Sequence, residues 1–120
     1  HRPNKRPRVP MAFDRMVEHA GETSGVARQD LKPGDQLMVS TRNSVYTLRL
    51  LPSNRFEVSG GWFDRKGDGP MTLTIIGCTW GGSAVKRDMV AICGMRIEFG
   101  NRVITSPVQR VVVFPGGLLN

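Results

Sequence analysis

A chain of 120 residues with 39% apolar side chains and only two cysteines suits one domain that buries a core without a disulfide framework. No apolar run approaches the ~18 residues of a membrane-spanning helix, and no hydrophobic leader is present. The chain begins at His1, so the missing leader says little, and the compartment is left open with the cytoplasm as default.

The net charge of +7 is unevenly placed. Residues 1–10 read His-Arg-Pro-Asn-Lys-Arg-Pro-Arg-Val-Pro, with Arg2, Lys5, Arg6 and Arg8 and no acid. The other 110 residues carry 13 basic and 10 acidic side chains, so the body is close to balance. Pro3, Pro7 and Pro10 rule out a helix and favour an extended, polyproline-like arm. Residues 11–20 are the best helix candidate: Phe13, Met16, Val17 and Ala20 share one face, Asp14, Arg15 and Glu18 lie opposite, and Gly21 supplies a stop.

From there the pattern is that of strands. Lys32-Pro33-Gly34-Asp35 is a turn that opens a strand with Leu37 and Val39 on one face. Arg42-Asn43-Ser44 turns the chain into a return strand with Tyr46, Leu48 and Leu50 inward. Pro52-Ser53-Asn54 turns it again, into a strand with Phe56 and Val58 inward. Gly60-Gly61 ends that strand, and 64–70 reads as a polar loop. Residues 71–79 read as one strand, with Leu73 and Ile75 set against Thr72 and Thr74. After the break at Gly81-Gly82 and the charged turn Lys86-Arg87-Asp88, residues 89–92 are apolar. Met95, Ile97 and Phe99 then alternate with Arg96 and Glu98. Gly100-Asn101 signals a two-residue hairpin turn, with 103–105 pairing back. The near-continuous apolar run 108–114 predicts a final strand buried on both faces. The expected fold is mainly β, a small antiparallel barrel or sandwich of about seven short strands with one short N-terminal helix. The expected organisation is an arm over 1–10, a β domain over 11–115 and a tail over 116–120.

Enzyme signatures are scarce. The only histidines are His1 and His19, and no phosphate loop, dinucleotide fingerprint or nucleophile elbow occurs. Gly81-Gly82-Ser83 follows a strand but leads into more strand, so a phosphate-binding helix terminus is missing. A free His1 amine and ring could chelate copper, which resembles the site of polysaccharide mono-oxygenases. That site needs a second histidine, and a proline-spaced cationic arm is a poor setting for it. Cys78 and Cys93, 15 residues apart, read as buried free thiols rather than metal ligands, with one disulfide as the alternative. Asp30, Asp35, Asp64 and Asp68 read as turn residues rather than Ca²⁺ ligands. No catalytic residue, metal or cofactor is expected.

The remaining signal is for binding. Trp62 and Phe63 precede Arg65 and Lys66, and Trp80 borders the glycine pair 81–82. Aromatics beside cations can stack bases or grip an acidic surface, while one of the adjacent Trp62 and Phe63 should turn inward. The expected function is a non-enzymatic binding or assembly module, an accessory subunit docking its β body and arm on a larger protein assembly or acidic protein surface. A homo-oligomer is also compatible. The alternative is a nucleic-acid-binding β-barrel in which Arg42, Arg49, Arg55, Arg65 and Lys66 add to the arm.

Overall fold

Strict alternation of buried and exposed side chains builds the frame. The structure, a computed structural model, describes residues 21–65, 69–81 and 84–116. The basic arm and the helix expected over 11–20 lie outside those residues, as does most of the tail. Among the described residues the chain forms β1 (Gly21–Thr23), β2 (Gly25–Ala27), β3 (Gln36–Thr41), β4 (Val45–Leu50) and β5 (Phe56–Gly60). A helical turn, α1 (Gly61–Arg65), follows. Then come β6 (Met71–Leu73), β7 (Ile75–Thr79), β8 (Val85–Lys86), β9 (Met89–Ile92), β10 (Arg96–Phe99) and β11 (Val108–Phe114).

All pairings are antiparallel. The large sheet runs β1-β11-β3-β4-β5-β6, and two small sheets run β10-β7-β8 and β2-β9. The hairpin expected from the alternation is its centre: Leu37 faces Leu48 and Val39 faces Tyr46 across β3 and β4. Because side chains alternate, these residues share one face with Val58, Phe56 and Val111, all fully or almost fully buried. The small sheets contribute Val26, Ile75, Val90, Ala91, Ile97 and Phe99 to the same core cluster. They therefore cover the inner face of the large sheet in a two-layer arrangement.

Several expectations need correction. The fold has more and shorter strands than seven, and the sheets do not close into a barrel among the described residues. β1 and β2 precede the first strand read from the sequence; they are three residues each, and Val26 alone among them is buried, so no alternation marks them. The strand expected over 71–79 is two, since the chain leaves the large sheet at Thr74 and continues in a small one. Inward and outward faces persist through the break, with Leu73 half-buried, Ile75 buried and both threonines exposed, so the pattern hides it. The turn after β10 is longer than two residues: Arg102 N donates to Phe99 O, Phe99 N donates to Val103 O, and Arg102 has φ 74°. Residues 103–105 make only one bridge, Glu98 to Ile104, because Thr105 Oγ1 accepts the Ile97 amide at 3.0 Å and ends the ladder. β11 is central, but Gln109 and Arg110 are exposed, so its burial is not two-sided along its length.

Residues 61–65 form a helical turn where a loop was expected to begin. Gly60 and Gly61 enter it with φ 92° and 52°, conformations that side chains with a Cβ resist. Asp64 Oδ1 then accepts the Gly60 amide at 3.0 Å and holds the corner. A Cβ on Gly60 would collide with the Val45 carbonyl oxygen. Gly60→Ala is expected to lower unfolding free energy by at least ~2 kcal/mol. Gly21→Ala, with open space around it, should change it by less than ~0.5 kcal/mol. Urea denaturation of both variants checks the contrast.

Candidate recognition surface

The sequence-derived aromatic residues part company in the fold. Phe63 is fully buried. Its ring meets Phe99 edge-on at 5.3 Å and Tyr46 at 6.1 Å, so it anchors α1 to the core. Trp62 is half-buried; its ring meets Phe63 at 5.1 Å and its amide donates to Tyr46 Oη at 3.4 Å. One of the pair turns inward, as expected, but through a helical turn rather than strand alternation. Arg65 closes α1, and Lys66 lies outside the described residues, as do Arg2, Lys5, Arg6 and Arg8.

Trp80 is the exposed aromatic. It follows β7 on the connection to β8 and keeps 70% of its surface in water. Thr79 Oγ1 accepts the Gly81 amide at 3.0 Å and shapes the bend. A Cβ on Gly94 would stand 4.0 Å from Trp80 Cζ3, so the indole lies beside that glycine turn. The Arg96 side chain lies beside the neighbouring glycine, with Nε 3.7 Å from where a Cβ on Gly81 would be. Trp80 makes no ring contact with the Trp62–Phe63 cluster, since it belongs to the other layer.

The far end of the β7–β8 hairpin is basic. Lys86 and Arg87 are exposed on this edge. Beside them Arg28 reaches across from the end of β2. Its Nη2 donates to Ile75 O and Arg87 O, both at 2.8 Å, and its Nε donates to Arg87 O at 3.2 Å. Ala27, Arg28, Gln29, Asn54, Arg87 and Asp88 line a groove of about 580 Å³ there. Arg28, Arg87 and Asn54 were not among the residues singled out from the sequence. Lys86-Arg87-Asp88 was legible as a charged turn, but Arg28 meets it across 59 positions, which no local spacing reveals.

Two other cations are paired. On the outer face of the large sheet Arg49 Nη2 lies 2.8 Å from Glu57 Oε1, and Arg110 Nε lies 3.1 Å from Glu22 Oε1. Arg49, one of the residues expected to hold nucleic acid, therefore has its charge opposed. Arg42 and Arg55 are exposed. No group of three or more His, Cys, Asp or Glu residues is placed to hold a metal among the described residues. No helix among them is long and apolar enough to cross a membrane.

The two cysteines are free thiols, Cys78 buried and Cys93 half-buried. Burial pushes the Cys78 thiol up to about 11, and its Sγ contacts Met89 O at 3.7 Å.

Comparison with known proteins found no matching family, no matching curated protein and no matching solved structure.

Iodide should quench the fluorescence of Trp80 strongly and that of Trp62 weakly, so Trp80→Phe removes most of the quenchable emission. At pH 8 a thiol-alkylating reagent should modify Cys93 and spare Cys78 until the chain is unfolded, as read by mass spectrometry. Because the fold holds Cys78 neutral, an unfolded chain loses that proton first. Its contribution to stability is present below the ordinary thiol value near 9 and falls away as pH rises toward about 11, a decline that Cys78→Ala should lessen.

Proposed function

We propose that this chain is a non-enzymatic binding module that docks on an acidic partner surface through the rim of its smaller layer, with the N-terminal arm adding reach and charge. The exposure of Trp80 carries this reading. An indole left 70% in water forgoes burial worth about 2 kcal/mol, and a partner that covers it recovers that energy. Tryptophan is among the residues most often dominant at protein interfaces. Lys86 and Arg87 at the far end of the same hairpin, and Arg96 beside Gly81, give this rim a positive charge. The arm's four cations have the same sign. A proline-spaced arm of ten residues would extend roughly 30 Å along an acidic surface.

The same exposed indole on a basic layer favours one second reading, in which bases of single-stranded nucleic acid stack on Trp80. The near balance of charge in the body weighs against it.

Fluorescence anisotropy of labelled poly-glutamate and labelled mixed-sequence single-stranded DNA separates the two. Poly-glutamate should bind the whole chain at low salt. Trp80→Ala should weaken binding by about tenfold, and removal of residues 1–10 should weaken it and flatten its salt dependence. Binding of DNA but not poly-glutamate, with a steep salt slope, replaces the first reading by the second. Failure of both ligands to bind at low salt removes both.

A further inference from the structure

We infer that the groove between the end of β2 and the β8–β9 turn is a receptor for a single carboxylate side chain of an acidic peptide segment. This rests on the docking reading above and names the chemistry that one part of the surface selects.

The first observation is that the Arg28 guanidinium is already positioned. Three hydrogen bonds from Nε and Nη2 to the Ile75 and Arg87 carbonyls fix the plane of the group. Those bonds leave the protons of Nη1 without a protein acceptor among the described residues. A guanidinium held in this way loses little side-chain freedom when an anion arrives.

The second observation is the company it keeps. Arg87 supplies a second cation, and Gln29 and Asn54 supply amides that can donate or accept. Asn54 is held in a left-handed conformation, φ 67°, and its amide donates to Leu51 O at 3.1 Å, so the turn that presents it is defined. The groove, at about 580 Å³, has room for a side chain together with the backbone that carries it.

The third observation discriminates among anions. Asp88 lines the same groove, so two arginines and one aspartate leave it with one net positive charge. That matches a carboxylate. A phosphomonoester carries about −1.5 to −2 at neutral pH, more than the groove's net charge offsets, and so meets stronger repulsion from Asp88 than a carboxylate does. A nucleic-acid backbone, with its row of phosphates, fits this groove less well than an Asp or Glu side chain whose flanking peptide N–H groups can donate to Asp88.

The test uses the full ¹⁵N-labelled chain and a short Glu–Gly peptide blocked at both ends, followed by amide chemical shifts. Saturable shifts should centre on residues 27–29, 54, 87 and 88. A Gln–Gly peptide of the same length should leave them unmoved. Arg87→Ala should weaken the peptide by about tenfold without unseating Arg28, whose bonds run to the Arg87 backbone carbonyl. Asp88→Asn should narrow the preference for the Glu–Gly peptide over the same peptide carrying phosphoserine. Equal shifts from the Gln–Gly peptide overturn the inference, as does a phosphoserine peptide that binds the unaltered groove more tightly. A Glu–Gly peptide that shifts only residues around Trp80 overturns the groove and leaves the docking reading standing. Absence of binding by any acidic ligand removes both.

Discussion

Everything in this molecule depends on covering one face of one sheet. The rows Val111–Val39–Tyr46 and Val113–Leu37–Leu48–Val58 run across the large sheet and would be solvent-facing in a single layer. Burying such side chains is worth about 1.5–3 kcal/mol each, so a second layer is obligatory. The chain supplies it economically. β1 and β6 each belong to the large sheet and pass within one residue into β2 and β7 of the small ones. The cover is thus stitched to the sheet at two places by continuous backbone, and the aromatic group of Tyr46, Phe63 and Phe99 fills the space between the layers.

That arrangement also decides which side chains are left free of the core. The outer face of the large sheet opposes its charges in pairs, Arg49 with Glu57 and Arg110 with Glu22. The small layer has its inner side committed to the core, and its turns project Trp80 at one end of the β7–β8 hairpin and the Arg28–Arg87 groove at the other. Both features come from the need to cover the sheet, because the strands that do so must turn somewhere. Their side chains are then free to serve recognition without disturbing the core.

The central hairpin and the inward sets of β5 and β10 were legible in the sequence because each has several residues in strict alternation bounded by turn chemistry. β1 and β2 were not, because three-residue strands with one buried side chain between them carry no period. The switch at Thr74 was invisible for the opposite reason: alternation runs unbroken through it while the pairing partner changes. The helical turn at 61–65 is set by the left-handed backbone at Gly60 and Gly61 and an Asp64 bond, neither of which propensity records. Trp80 was legible as an aromatic set beside a glycine break. The groove was not, since its parts come from β2, the turn after β4 and the turn after β8, and only long-range packing unites Arg28 with Arg87.

The shortness of β8 has one more consequence. A strand of two residues at the border of its sheet offers too few free amides and carbonyls to template a further strand, and Lys86 there makes an approaching copy of the same edge repel it. The large sheet ends in three-residue strands on both sides, one of them carrying Glu22. A fold built almost wholly from strands thereby blunts these three borders against growing into fibres. The cationic charge of this hairpin also keeps identical molecules from adding to it.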